Sequence, residues 1–308
     1  MFVTNVRPLF KVVIAEINSH ASSVLKFQVH HCHTKKMQAQ LCNPAAVFVS
    51  NGEMFIADMN NHRVRKVLRN GQIVTIAGTG VAGYSGDGQL ATSAQLEHPV
   101  CVVVSSSNQV YISESHRIRK IDQNGIISTI AGTVQGYNGD DQLAVNAKLN
   151  YPRGLFVTED EEVLFADMTN NRVRKIDRNG MITTIAGTGT YGNMEIVETG
   201  EYQLATSTQL SRPSSVYQYK NEIYIADMGN NMIRKILKDG TITNVNIKSN
   251  MHIPPYFIVV LSDELLVSYY GVTWLEKYIF TLEPSKHLLE MAMLVEEVVM
   301  DHWRFMQC

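Results

Sequence analysis

The sequence predicts an all-β protein built from repeated four-stranded units, and three observations support the prediction. A segment that begins at Phe55, FIADMNNHRVRKVLRNGQIVTIAGTG, recurs almost unchanged from Leu164 as LFADMTNNRVRKIDRNGMITTIAGTG. Its apolar runs are short, rich in Val and Ile, and separated by turn signals such as Asn70-Gly71, as expected of strands. A four-stranded unit of roughly 42 residues that recurs along a chain is typical of one blade of a β-propeller.

The repeats follow one another along most of the chain. The clear copies span residues 55–80, 110–133, 164–189 and 223–243. Each follows a proline and a short apolar run, which begin at Pro44, Pro99, Pro152 and Pro213. The second copy fits once two residues are dropped from its turn, and weaker copies flank the four at 13–20 and after Pro255. Because one blade cannot bury its own faces, neighbours must stack and close a ring, so we expect one propeller domain over residues 1–283.

The end of the chain differs in kind. Apolar residues at Leu288, Met291, Val295 and Val298 recur near helical spacing, with glutamates between them. We predict a short amphipathic helix over residues 284–308 that packs on the propeller. The first, degenerate copy lacks its opening strand, which raises the alternative that the chain is a fragment without an upstream signal or domain.

Composition narrows the function classes. The chain has 308 residues, of which 45% are hydrophobic and 18% charged, with a formal net charge of −2. This apolar content excludes a disordered chain, and the near-neutral charge disfavours a surface built throughout for phosphate backbones. The four cysteines form no CxxC pair and are too few for a disulfide scaffold. We find no membrane-spanning run and no secretory signal, and therefore expect a soluble, cytoplasmic protein.

At these repeats the sequence resembles the NHL-repeat family. The resemblance is carried by the proline-led first strand, by the Ala-Asp that ends the second strand, and by the Asn-x-Arg-[Ile/Val]-Arg-Lys run that follows. The linker GYSGDGQLATSAQL at 83–96 resembles the long-linker variety found in teneurin-like and microbial NHL proteins. The resemblance covers residues 11–280 and implies six blades. It also implies that some related propellers bind single-stranded RNA, whereas others are lyases or lactonases.

Aspartates and arginines at equivalent positions are the first candidate functional residues. They are Asp58, Asp167 and Asp227 with Arg65, Arg174 and Arg234, joined by Arg119 in the second clear copy. A ring of guanidinium groups could bind anions. Since a binding site needs asymmetry whereas a scaffold needs repetition, we predict a structural role, with aspartates bonded to turn backbone and arginines paired with carboxylates.

Histidines and linker aspartates are weaker candidates for a metal site. His62 and His116 hold equivalent positions, but Asn171 and Asn231 take that position in other copies. The run His30–His33 points alternately to opposite sides if it is extended, so it cannot converge on one ion. The aspartate-containing linkers lack the ligand spacing of a calcium loop. We predict no metal and no cofactor.

Residues around the predicted central channel argue against catalysis. The innermost strand of such a propeller follows the proline, which places at the channel entrance Ala45, Val100, Arg153, Ser214 and Tyr256. Related lyases and lactonases have metal-binding carboxylates or histidines there, and this set has none. Just before the prolines, on the same rim, are Asn43, His98, Tyr151 and Arg212. Since Tyr and Arg are frequent contact residues, the predicted partner-binding rim comprises His98, Tyr151, Arg153, Arg212 and Tyr256.

Together these observations favour a monomeric, non-catalytic NHL-type scaffold that binds a protein partner through its rim loops. Single-stranded RNA binding by a basic propeller face stays open as an alternative, although acidic residues lie near the repeated Arg-Lys pairs. A metal-dependent lyase or lactonase is a second alternative. The sequence does not name the partner.

Overall fold

The computed structural model describes residues 13–14, 41–192, 203–245, 254–261, 264–269 and 280–281. The strands of this part of the chain form five sheets, which we number blades 1 to 5 in chain order. The helices described here are one-turn 3-10 helices of three residues, so the all-β prediction is confirmed. The predicted helix at 284–308 lies outside the described residues, as does most of the degenerate first copy.

Each blade is built from short strands that follow one another in the chain. Blade 1 contains β1 (Val13–Ile14), β2 (Pro44–Ser50), β3 (Glu53–Asp58), β4 (Arg63–Val67) and β5 (Ile73–Ala77). Blade 2 contains β6 (Cys101–Val104), β7 (Val110–Glu114), β8 (Arg117–Ile121) and β9 (Ile127–Ala131). Blade 3 contains β10 (Gln142–Leu143), β11 (Pro152–Val157), β12 (Val163–Asp167), β13 (Arg172–Ile176) and β14 (Met181–Ala186). Blade 4 contains β15 (Gln203–Leu204), β16 (Pro213–Tyr219), β17 (Glu222–Asp227), β18 (Met232–Ile236) and β19 (Thr241–Asn244). Blade 5 contains β20 (Pro255–Leu261), β21 (Glu264–Tyr269) and β22 (Phe280–Thr281).

The 3-10 helices occupy two repeated places. Between the second and third strands of blades 1, 3 and 4 they span Met59–Asn61, Met168–Asn170 and Met228–Asn230. In the linkers that enter blades 2, 3 and 4 they span Ala91–Ser93, Ala144–Asn146 and Ala205–Ser207. The linkers also cover the sheet edges, because β10 pairs with β14 and β15 pairs with β19, the outermost strand of the blade that follows.

Strand β1 differs from the prediction. The repeat alignment places Val13 and Ile14 in a degenerate blade of their own, but they pair in parallel with Val47 and Phe48 of blade 1. Val and Ile suit a strand at any sheet edge, and the sequence copy does not specify which edge they join. The described residues therefore contain no separate blade before blade 1, and six blades remain a prediction.

The core lies between the blades. Four clusters of buried apolar side chains each combine residues of two consecutive blades. Between blades 2 and 3, Tyr111 and Ile118 belong to the same cluster as Phe165 and Ile182, together with the fully buried Leu149 of the linker. Each blade thus has two apolar faces that only its neighbours can cover, which is the physical reason for the repetition.

Strand register brings the prolines and the 3-10 turns to the same end of blades 1, 3 and 4. Pro152 lies opposite Asp167, and Asp167 lies opposite Arg172 on the next strand. The pairs Pro44–Asp58 and Pro213–Asp227 repeat this register in blades 1 and 4. We call this end the proline face. The turns between third and fourth strands lie at the opposite end.

Candidate functional site

A buried aspartate organises the proline face of blades 1, 3 and 4. In blade 3, Asp167 Oδ1 accepts a hydrogen bond from the backbone N–H of Asn150, and Oδ2 accepts one from the Asn170 side chain, both at 2.8 Å. Asp58 and Asp227 make the same two kinds of contact in their own blades. Each aspartate therefore ties the linker that enters its blade to the 3-10 turn of that blade.

Blade 2 has a glutamate at this position, which the sequence analysis missed. Glu114 ends the second strand where blades 1, 3 and 4 have aspartate, and the turn after it is two residues shorter. Its longer side chain still reaches the linker, because Oε2 accepts a hydrogen bond from the backbone N–H of Glu97 at 2.8 Å. Its Oε1 accepts a hydrogen bond from Arg119 Nη1 at 3.2 Å. Burial raises the pKa of Glu114 despite these contacts. The alignment of VYISE with VLFAD was the signal that could have identified it.

The sequence-predicted arginines lie beside these acids on the third strands. The side chains of Arg119, Arg174 and Arg234 are fully buried. Arg234 Nε lies 2.7 Å from Asp227 Oδ2, whereas Arg174 Nη1 lies 3.6 Å from Asp167 Oδ2. Burial raises the pKa of Asp167 to about 6, because desolvation of the carboxylate outweighs its hydrogen bonds and the charge of Arg174. These groups are an internal framework rather than an exposed anion site.

The linker that enters blade 3 closes over two arginines with a tyrosine and an aspartate. The Cζ atoms of Arg172 and Arg174 lie 3.7 Å and 5.0 Å from the centroid of the Tyr137 ring. Arg174 Nη2 donates to Asp140 Oδ1 and to the carbonyl of Gly139, both at 2.7 Å. Cation–π and charge-assisted contacts are therefore combined at one site. We call this arrangement the linker clamp.

Blade 2 has a linker clamp of the same geometry. The Tyr84 ring centroid lies 3.9 Å from Arg117 Cζ and 4.9 Å from Arg119 Cζ, and Arg119 Nη2 lies 2.6 Å from Asp87 Oδ1. Burial acts to raise the pKa of Asp87. Hydrogen bonds from Thr129 and Tyr84 and the charge of Arg119 outweigh that effect, so the pKa of Asp87 is lowered. The sequence analysis interpreted these linkers only as ordered connections. The signal available was the recurrence of Gly-Tyr-x-Gly-Asp ahead of an Arg-x-Arg strand.

Three of the predicted rim residues are exposed on the proline face of consecutive blades. His98, Tyr151 and Arg212 lie immediately before the prolines that lead into blades 2, 3 and 4 and are all exposed. Their φ angles are 51°, 54° and 45°, the left-handed region that side chains with a Cβ seldom adopt. Asn43, the equivalent residue of blade 1, has a φ of 49° and is of the type that tolerates this conformation best.

Each of these three residues contacts a turn residue of the preceding blade. The contacts join His98 to His62, Tyr151 to His116 and Arg212 to Asn171. The ring centroids of the first two pairs are 4.6 Å and 5.1 Å apart, and in the third the backbone N–H of Arg212 donates to Asn171 Oδ1 at 2.9 Å. Burial lowers the pKa of His62 and of His116. Burial therefore favours the neutral form of both imidazoles.

Arg153 and Tyr256, the other predicted rim residues, contact each other. Arg153 Nη1 donates to the Tyr256 hydroxyl, and its Cζ lies 5.4 Å from the ring centroid. Their strands belong to blades 3 and 5, and between them Ser214 of blade 4 is buried and donates to the carbonyl of Pro255 at 3.2 Å. Tyr256 is only 7% exposed, so it is buried and does not belong to the exposed rim.

A cleft of ≈ 720 Å³ lies between blades 2 and 3 at the end opposite the proline face. Two of its carboxylates, Glu161 and Asp160, are engaged in contacts with neighbouring side chains. Glu161 accepts hydrogen bonds from the Tyr111 hydroxyl and from Ser107 Oγ, both at 2.6 Å, and Asp160 pairs with Arg178. The Glu161 contacts join the first hairpin of blade 3 to blade 2, so we assign this carboxylate a structural role.

In the described part of the chain, no group of three or more His, Cys, Asp or Glu side chains is arranged to hold a metal ion. Cys42 is exposed and Cys101 buried, both are free, and burial raises the pKa of the Cys101 thiol to about 11. Among the described helices, none has the length and apolarity that a membrane crossing requires.

Comparison with known sequences agrees with the repeat pattern. A family model described as the Teneurin NHL domain matches residues 80–138 and 134–195. Teneurin-3 of Danio rerio is 26% identical over 219 residues, which cover 63% of this chain and 8% of that protein. The chain therefore spans less than a tenth of the length of this relative.

Two solved structures share the fold. An auxiliary nutrient binding protein from Bacteroides ovatus gives a TM-score of 0.51 at 12% identity, over 72% of this chain and 55% of that chain. A nidogen/laminin complex gives a TM-score of 0.51 at 10% identity, over 75% of this chain and 73% of that chain. At these identities the likeness shows the propeller fold alone. Together, the family match over residues 80–138 and 134–195, the repeated proline, aspartate and arginine elements and this fold support an NHL-repeat β-propeller protein.

Proposed function

We propose that this protein is a non-catalytic NHL-repeat scaffold that binds a protein partner through the exposed rim of its proline face. The observation that carries the proposal is the backbone conformation of His98, Tyr151 and Arg212, whose exposed side chains project from left-handed positions. Asn or Gly would fit there with less strain. Strained positions of this kind are typical of residues whose side chains are used in function.

The rim is also preorganised. Each of the three residues is held by a contact with the blade before it, so its position is fixed by the stacking of the blades. A rigid contact surface loses little conformational entropy when it binds, which favours association. Tyr151, whose side chain is 45% exposed, and Arg212 are of the residue types that dominate binding energy at protein interfaces.

The charges of the described strands favour a protein over RNA. Lys66, Lys175 and Lys235 each form an ion pair with a glutamate at the start of the neighbouring strand or just before it, with N–O distances of 2.6, 3.0 and 3.0 Å. These pairs offset the positive charge on which binding to a phosphate backbone depends. One structure that shares the fold comes from a complex of nidogen with laminin, which supports the choice of a protein partner.

A triple variant separates function from folding at the rim. We expect His98→Asn, Tyr151→Asn and Arg212→Asn together to leave the fold intact and to keep or raise the melting temperature, since Asn tolerates a positive φ. Capture of partners should be lost. The tagged chain and its variant are crosslinked by ultraviolet light in native lysate, with and without nuclease, and the captured molecules are identified by mass spectrometry and sequencing.

Tyr191→Asn is the matched control, because Tyr191 is 69% exposed but lies in a linker. Its capture profile should equal that of the unmodified chain. If the folded triple variant captures the same proteins as the control, the rim is not the binding surface and the proposal is wrong. If the captured partners disappear with nuclease, RNA binding replaces it.

A further inference from the structure

The arginine pair of blade 1 differs from its counterparts in blades 2 and 3. Arg63 and Arg65 occupy the same places on β4 as Arg172 and Arg174 on β13. Arg63 is anchored like its counterpart: its Nη2 donates to the Thr79 carbonyl at 2.7 Å, just as Arg172 Nη2 donates to Thr188. Blade 1 therefore presents the guanidinium pair that a linker clamp binds in blades 2 and 3.

The acidic half of the clamp is not supplied to blade 1 by the described residues. Arg65 Nε lies 3.7 Å from Asp58 Oδ2, and Nη1 donates to the Thr75 hydroxyl. Within the described part of the chain, neither the Nη2 of Arg65 nor its buried Nε has a hydrogen-bond partner. Its side chain is 15% exposed, whereas that of Arg174 is fully buried. No described aromatic ring lies over Arg63 or Arg65, in contrast to Tyr137 in blade 3.

The sequence that leads into blade 1 lacks the motif as well. Residues 39–44, AQLCNP, align with residues 94–99, AQLEHP, so the end of the linker is present. The residues that precede this segment contain neither tyrosine nor aspartate, since the first tyrosine of the sequence is Tyr84 and the first aspartate is Asp58. Gly-Tyr-x-Gly-Asp occurs twice in the chain, at 83–87 and 136–140, and both copies are engaged in their own blades.

We propose that Arg63 and Arg65 form a binding site for a loop of a partner protein that carries a tyrosine and, three residues later, an aspartate. The tyrosine ring would lie on the Arg63 guanidinium and the carboxylate would accept from Arg65 Nη2, as Tyr137 and Asp140 do in blade 3. Charge complementarity and the two internal examples specify this chemistry. The site lies on the third strand of blade 1 and does not depend on the function proposed for His98, Tyr151 and Arg212.

The chain provides its own probe for this site. A capped peptide of residues 81–88, VAGYSGDG, labelled at one end, is titrated with the full chain at low ionic strength, and binding is followed by fluorescence anisotropy. We expect saturable binding that weakens with added salt. Peptides with Tyr84→Ala or Asp87→Asn should bind at least about tenfold more weakly, since each loses a cation–π or charge-assisted contact.

Protein variants locate the binding. Arg65→Gln and Arg63→Gln should each lower the affinity for the peptide by roughly tenfold or more, whereas Arg69→Gln should leave it unchanged. Arg69 is the matched control because it is an exposed arginine of the same blade that donates to the Asn51 carbonyl. If Arg65→Gln does not fold, the peptide affinity of Arg63→Gln tests the proposal, because Arg63 is only half-buried. Absence of saturable binding, or binding that neither variant weakens, would overturn the proposal.

Discussion

Replacing Arg174 by methionine removes the cation on which the centre of blade 3 depends. The guanidinium is fully buried, lies 3.6 Å from Asp167 Oδ2, and donates from Nη2 to Asp140 Oδ1 and the Gly139 carbonyl at 2.7 Å. Methionine fills a similar volume, so the loss is mainly electrostatic. Asp167 would lose the larger of its two favourable charge interactions, since Arg172 is the other cation that acts on it, and Asp140 of the linker clamp would lose its arginine partner.

Removing one partner of a buried ion pair lowers the free energy of unfolding by about 3–5 kcal/mol, because the remaining charge stays desolvated. The pH dependence gives a second, independent signature. Below about pH 4 the Asp167 carboxyl is protonated in the folded and the unfolded chain, so it needs no cation there. We therefore expect the loss caused by Arg174→Met to be smaller near pH 4 than at pH 7.

The assay is urea-induced unfolding followed by far-ultraviolet circular dichroism, with midpoints and slopes compared between variants. Arg178→Met is the matched control in the same blade. The side chain of Arg178 is 62% exposed and that of its partner Asp160 is 70% exposed, so this pair should contribute only about 0–1 kcal/mol. If Arg174→Met and Arg178→Met lower stability equally at pH 7, the buried framework is not electrostatic in the way argued here.

Three further predictions follow from the same framework. Because the pKa of Asp167 is raised, the stability that its protonated carboxyl contributes is fully present below about pH 4 and is lost as the pH rises to about 6. Asp167→Asn should remove this pH dependence, which amounts to roughly 3 kcal/mol in the free energy of unfolding. The measurement is the difference between unfolding curves at pH 4 and pH 7. Gly132→Ala should lower the free energy of unfolding by roughly 2–4 kcal/mol, because φ is +94° and a Cβ would lie 2.2 Å from the His116 carbonyl oxygen; an unchanged melting temperature would contradict this. Glu114→Asp should lower stability by about 1–3 kcal/mol, since the shorter side chain cannot hold both the linker N–H and Arg119, and an unchanged urea midpoint would show that it can.

The sequence predicted much of the framework because its pattern is local and repeated. Short Val- and Ile-rich runs between turn residues specify strands, and the strand length and period specify the blade. Asp167 and its partner Arg174 in blade 3 were identified for the same reason, since the arginine recurs in all four clear copies and the aspartate in three of them. Glu114 escaped because a deletion and a longer side chain compensate for each other, which a letter-by-letter alignment does not reveal.

Other features depend on how the blades stack. Tyr137 and Asp140 lie in a linker whose composition indicates only turns, and they contact arginines more than 30 residues later in the chain. Strand β1 shows the same limit, because Val13 and Ile14 fit several sheet edges and their pairing with Val47 and Phe48 is not specified by their residue types.

The sequence by itself determined the all-β class, the repeating blade and the residues that build it, since periodicity and turn chemistry act over a few positions. Only the tertiary structure decided which side chains of the rim are exposed and which are buried. It placed Arg153 against Tyr256, 103 positions away in the chain, and left Tyr151 exposed on a strained backbone. The physical reason is that these contacts form between blades, where stacking geometry rather than local pattern sets the neighbours.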